Sequence, residues 1–238
     1  MTPPPLLAGV DGCTGGWIAV LARGGAFAQA RVVMVAAFAD ILALPERPAV
    51  VAIDMPVGLP ERSLGGRAAE RSLRLVLGKR RSSVFSIPSR VAVHAENYGE
   101  ARRLALATSE PPRSLSKQAF NIFPKIREID VLLRGKPALA ARVRECHPEG
   151  SFRMMRGAPL AFAKLKAEGA RERRALLLEQ GFAPALLDAK PPRGAKTDDV
   201  FDACAALWTA ARIADGTATR HPEALEHDAQ GLPMAIWT

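Results

Sequence analysis

Apolar positions occur first in short runs and later at helical steps. Residues 6 to 11, 16 to 22 and 27 to 36 are apolar or alternating runs, separated by Gly15, Gly16, Gly24 and Gly25. Alternation with a period of two marks strands, and glycines between such runs mark the turns that join them. This predicts a three-stranded antiparallel meander. Residues 38 to 44 (FADILAL) read as a short helix stopped by Pro45, and the wholly apolar run AVVAID follows at residues 49 to 54. A run apolar on both faces suits a buried strand paired in parallel, so the chain returns to the sheet as a fourth strand.

After Gly58 the period lengthens. AAERSLRLVL, NYGEARRLALAT and SLSKQAFNIFPKIREIDVLL carry apolar residues at three- and four-residue steps, which predicts helices. The segment from about residue 60 to 140 reads as a large helical insertion between the fourth and fifth strands. The fifth strand is ARVREC, residues 141 to 146, and Pro148 suits the first turn of the helix after it. Residues 171 to 181 form a helix with a glycine stop, the loop AKPPRGAKT spans 189 to 197, and DDVFDACAALWTAARIA, 198 to 214, is a last helix with carboxylates where its dipole favours them. The expectation is an α/β fold, a mixed five-stranded sheet flanked by helices in one domain spanning residues 1 to 238. In such sheets ligands gather at the carboxyl ends of strands, where Asp11 and Asp54 fall.

Two aspartates that each end an apolar strand come side by side if their strands are neighbours. Their repulsion is relieved by a divalent cation. The ordinary alternative is that each caps a turn by bonding the backbone two residues on. Further carboxylates stand in KTDDVFDACAALWTA: Asp199 and Asp202 are three apart and Asp198 and Asp202 four apart, so both pairs share a helix face. First-turn capping accounts for Asp198 and Asp199. It does not account for Asp202, which precedes a continuous apolar segment and needs a partner there. Glu145 ends the fifth strand as a further candidate, and a surface ion pair with Arg142 or Arg144 is its ordinary fate. His147, before a proline, is a candidate ligand or general acid and equally a structural hydrogen-bonding residue.

Composition changes this picture only partly. Lysine and arginine exceed aspartate and glutamate by 33 to 24, a net charge of +9, which attracts polyanions, although an arginine-rich composition explains it equally well. Arg67, Arg71 and Arg74 recur at helical spacing and Lys79 follows Gly78; beside a carboxylate cluster such cations suit a phosphate group, and a solvated helix face is the plainer reading. Aromatic residues are 5% of the chain, too few for stacking single-stranded bases. Cys13, Cys146 and Cys204 are odd in number and far apart, which predicts a reduced cytoplasmic protein without a disulfide framework. With His147 they form an alternative zinc set, although scattered cysteines are ordinarily small buried residues. No apolar run approaches the ~20 residues a membrane span needs. The oligomeric state is left open, a homodimer included.

Taken in order, VDGCTGGW, AIDMPVGLP, RSSVFSIPSR, QAFNIFPKIREID, ECHPEGSF and KTDDVFDACAA resemble domain-of-unknown-function family 429, predicted RNase H-like nucleases. The resemblance runs from about Gly9 to the end of the last helix. It implies an RNase H-like fold, in which the first strand carries an aspartate, the fourth a second carboxylate and the C-terminal helix one or two more. Asp11, Asp54 and the element from Asp199 to Ala203 match that layout, and the last element also looks like the final helix of Holliday-junction resolvases. The long insertion departs from small RNases H. The resemblance implies in-line phosphodiester hydrolysis with two Mg²⁺ or Mn²⁺ ions. Asp11, Asp54, Asp199 and Asp202 would be the metal ligands, with Glu145 completing the catalytic set. Arg67, Arg71, Lys79 and Lys125 would hold phosphate of a nucleic acid or nucleotide substrate. Two other readings stay open: an actin- or hexokinase-like nucleotide-binding phosphotransferase, suggested by D-G-x-T-G after a strand, and a non-catalytic module binding phosphate groups or nucleic acid.

Overall fold

The computed structural model describes residues 3 to 238. Strands β1 (Leu6–Cys13), β2 (Gly16–Arg23) and β3 (Arg31–Val35) come first, then helix α1 (Phe38–Leu42) and β4 (Val50–Ile53). Helices α2 (Ala68–Leu77), α3 (Arg90–Val93), α4 (Tyr98–Ala107), α5 (Lys117–Asn121), α6 (Phe123–Leu133) and α7 (Pro137–Ala140) follow. The chain continues through β5 (Val143–Cys146), α8 (Pro148–Arg156), α9 (Ala167–Glu179), α10 (Pro184–Leu187) and α11 (Thr197–Ala214) to β6 (Arg220–His227) and β7 (Pro233–Trp237). These elements form two compact units: one comprises residues up to Asp54, Ala141–Thr219 and Trp237–Thr238, the other Met55–Ala140 and Arg220–Ile236.

In the first unit β2 pairs antiparallel with both β1 and β3, whereas β4 runs parallel to β1 and β5 parallel to β4. The order β3-β2-β1-β4-β5 makes the mixed sheet that the sequence predicts. The expected third strand over residues 27 to 36 is shorter, because Phe27–Gln29 form a 3₁₀ turn before it. Helix α11 is buried at every position from Val200 to Ala211, which only a helix apolar on all sides tolerates. It lies on β1 at Gly9, where a Cβ would stand 1.9 Å from the Leu207 nitrogen and 2.2 Å from the Ala203 oxygen. Leu7, Ile18, Val20, Phe152, Leu177 and Phe182 complete the core around it.

The second unit is mainly helical. On α2, Ala69, Leu73 and Leu77 recur every four residues and bury one face against Val84 and Ile236. The single helical run read over SLSKQAFNIFPKIREIDVLL breaks into α5 and α6, with Pro124 in the first turn of α6. Arg90 is a buried hub that donates to the carboxylates of Asp130 and Asp228, while Asp130 also takes His94 Nε2 at 2.8 Å. Asp228 in turn accepts the amides of Leu59 and Leu232, both at 2.9 Å.

Among the described residues the chain has seven strands, not five. β6 and β7 carry no strong signal: β6 (RHPEALEH) buries one residue of eight and holds a proline, so no apolar alternation marks it. No helix among the described residues is long and apolar enough to cross a membrane.

Candidate metal centre

Register brings the first two aspartates together. Val10 on β1 lies opposite Ile53 on β4, and the Asp54 amide donates to the Val10 carbonyl at 2.9 Å. Asp11 and Asp54 therefore occupy the next step on adjacent parallel strands, at their carboxyl ends. Ile53 in turn faces Glu145 on β5, which is also buried.

The third carboxylate arrives on α11. The loop before that helix meets the turn after β1: the Gly15 amide donates to the Gly194 carbonyl at 2.9 Å. A Cβ on Gly194, whose φ is +93°, would stand 2.6 Å from the Gly15 Cα. Two glycines are what allow this approach, and the loop then feeds α11 so that its second turn presents Asp202. One carboxylate oxygen each from Asp11, Asp54 and Asp202 lies within 4.8 Å of the others. Asp11 and Asp202 are 7% and 4% exposed, and Asp54 is half-buried.

The electrostatics follow from that crowding. Burial pushes the Asp11 carboxyl well above the ordinary carboxylate range, and repulsion from Asp54 and Asp202 adds to it. Burial likewise raises Asp54 to about 6 and Asp202 to about 6, with Lys164 pulling the other way in both cases. Lys164 was not among the residues singled out from the sequence. Its Nζ donates to Asp202 and stands 3.3 Å from Asp198. Burial works against its charge, but Asp202, Asp11 and Asp198 outweigh that and raise its pKa above the usual lysine range. Nothing distinguishes Lys164 from Lys166 along the chain; only the fold brings it to the carboxylates.

The other candidates are placed as follows. Asp199 accepts the Lys196 amide at 2.8 Å, the capping role that the sequence allowed, and lies outside the close triad. His147 precedes α8, where its carbonyl accepts the Gly150 and Ser151 amides. The three cysteines are buried free thiols, and burial raises Cys146 and Cys204 above the usual thiol range. Among the described residues the only group of His, Cys, Asp and Glu able to share an ion is the aspartate triad, so the zinc alternative has no structural counterpart.

The cationic candidates belong to the second unit. Arg67 stands just before α2 rather than on its face; its guanidinium is buried, with Nε on Glu70 at 2.6 Å and Nη1 on the carbonyls of Val57 at 2.8 Å and Gly58 at 3.0 Å. Arg71 is exposed and gives Nη1 to the carbonyls of Leu64 and Gly66. Lys79 is exposed in the 3₁₀ segment after α2, and Lys125 is half-buried on α6.

Comparison with known families agrees with the layout of these motifs. The profile of a family described as "Protein of unknown function (DUF429)" matches residues 9 to 227. The chain belongs to this family. No curated protein and no solved structure matches this DUF429 chain.

Proposed function

We propose that this DUF429 protein is a divalent-metal-dependent phosphodiesterase of RNase H-like architecture, acting on a nucleic acid or nucleotide. The observation that carries the proposal is the convergence of Asp11, Asp54 and Asp202 within 4.8 Å. Five strands with aspartates on the first and fourth, and a third on the helix packed against the first, agree with the RNase H-like layout.

The donor set fits a hard cation. Three carboxyl groups face one ammonium, that of Lys164, and all-oxygen donors favour Mg²⁺ or Mn²⁺ over softer ions. Burial and repulsion hold Asp11 above its ordinary range, and a bound dication relieves both. When bound there, such ions supply an activated water and stabilise charge developing on the phosphoryl oxygens. The residues do the rest. Asp11 and Asp54 hold the strand side of the site, Asp202 the helix side, and Lys164 keeps Asp202 oriented while offering positive charge to an incoming phosphate. Glu145, buried on β5 opposite Ile53, is assigned to positioning the attacking water. Arg67 is satisfied internally and Arg71 gives its Nη1 to the carbonyls of Leu64 and Gly66, so neither is assigned to substrate phosphate. A net charge of +9 favours a polyanionic substrate.

The test is cleavage of single-stranded, duplex and branched DNA and of RNA with Mn²⁺ or Mg²⁺. Activity is expected to vanish in EDTA and in Asp11→Asn or Asp202→Asn. Cleavage that survives Asp11→Asn, or calorimetry that finds no Mn²⁺ binding, would overturn the proposal. Stabilisation by ATP without cleavage would favour the phosphotransferase reading instead.

A further inference from the structure

A pocket of about 210 Å³ opens in the second unit, with Ser63, Phe85, Ser86, Ser109, Arg113, Ser114, Leu115 and Ser116 in its lining. The RSSVFSIPSR motif, which the aspartate centre does not use, supplies one wall, and the segment between α4 and α5 supplies another.

Three of the five serine hydroxyls in this pocket share a property, whereas Ser63 and Ser109 donate to the carbonyls of Ile87 and Arg113. Ser86 Oγ accepts from Arg74 Nη2 at 2.9 Å, Ser114 Oγ from Arg102 Nε at 3.1 Å, and Ser116 Oγ from the Ala119 amide at 3.1 Å. Each oxygen is thus engaged as an acceptor by an N–H group, and none of the three has an acceptor for its own proton among the described residues. A hydroxyl so engaged is left as a donor. The Arg113 guanidinium likewise makes no hydrogen bond or ion pair among the described residues, and it can only donate. Its backbone is fixed nonetheless, because the Arg113 amide donates to Ser109 Oγ at 2.6 Å. The lining therefore presents three O–H donors and a guanidinium fork.

We infer that this pocket binds a small phosphate monoester, with its phosphoryl oxygens taken by Arg113, Ser86, Ser114 and Ser116. A monoester offers three terminal oxygens and a charge near −2, which matches three hydroxyls and a cation; a diester has only two such oxygens and half the charge. The volume corresponds to about seven waters of liquid, enough for the phosphoryl group and a small organic portion. Phe85, 40% exposed, and Leu115 provide an apolar rim for that portion. The local field agrees: burial lowers the Arg74 pKa, Glu70 opposes this, and Arg113 and Arg71 lower it further, as clustered cations do. The inference stands apart from the metal centre, and its residues belong wholly to the second unit.

The experiment is calorimetric titration of the full chain, in EDTA, with inorganic phosphate, phenyl phosphate and dimethyl phosphate. Saturable binding of phosphate and tighter binding of phenyl phosphate are expected. Arg113→Ala should weaken both by about tenfold or more, as loss of a charge-assisted hydrogen bond does. The exposed position of Arg113 keeps that variant folded, and Asp54→Asn should bind as the wild type does. Absence of saturable binding, equal affinity for dimethyl phosphate, or an unchanged affinity in Arg113→Ala would each overturn the inference.

Discussion

Replacing Asp54 by Asn should stabilise the metal-free protein, and by an amount that depends on pH. Asp54 holds its proton up to about pH 6 in the folded chain, against an ordinary 3.8, because burial disfavours its ionised form. Keeping a proton over that interval corresponds to a penalty of about 3 kcal/mol on the carboxylate. Asp54 is only half-buried and solvent screens part of this, so about 2 kcal/mol is recovered when Asn removes the charge and keeps the shape. The sign follows from proton counting. Between about pH 4 and 6 the folded state binds more protons at this site than the unfolded state, so stability falls as pH rises, and above pH 6 the penalty is complete. The assay is thermal unfolding in EDTA at pH 8 and pH 4. At pH 8 Asp54→Asn should melt roughly 4–8 °C above wild type, and at pH 4 the difference should close. Excess Mn²⁺ at pH 8 should raise the wild-type melting temperature and leave the variant little changed. A variant less stable than wild type at pH 8, or equally stabilised at both pH values, would refute the reasoning.

Lys164→Met removes the ammonium between Asp202 and Asp198 and should cost roughly 1–3 kcal/mol in urea unfolding at pH 8 in EDTA, with saturating Mn²⁺ restoring most of it. Arg90→Met leaves Asp130 and Asp228 buried without their shared partner; a loss of about 3–5 kcal/mol is expected, read by denaturant melts. The three buried thiols should resist a disulfide reagent in the native protein and all react after unfolding in guanidinium, which absorbance counts directly.

The sequence made the strand-borne half of the site legible for a physical reason. Asp11 and Asp54 each follow a run of buried apolar residues, and a carboxylate at that boundary stands out. Asp202 was legible because it enters a helix that is apolar on every side. Asp199 is different: its first-turn position suits capping, and capping is what it does. Lys164 was invisible because a loop lysine acquires its meaning only from what the fold sets beside it. Arg67 was legible as a cation but not as the buried partner of Glu70, since spacing cannot show which way a guanidinium turns. Strand β6 escaped notice because seven of its eight residues lie outside the buried class and so carry no alternation.

The contact at Gly9 bears on which ion the proposed metal centre would accept. Helix α11 rests there on bare backbone, with no flexible side chain between the Ala203 carbonyl and β1. Asp11 follows Gly9 by two residues and Asp202 precedes Ala203 by one, so the jaws of the centre are mounted on either side of that contact. The spacing of the two backbones that carry them is set by the thickness of two main chains, as in a calliper screwed shut. A centre so mounted would sort ions that differ mainly in radius, such as Mg²⁺ at about 2.1 Å and Ca²⁺ at about 2.4 Å from oxygen. A single methyl group in place of the Gly9 hydrogen would widen that spacing, so the smallest residue in the strand acts as the gauge.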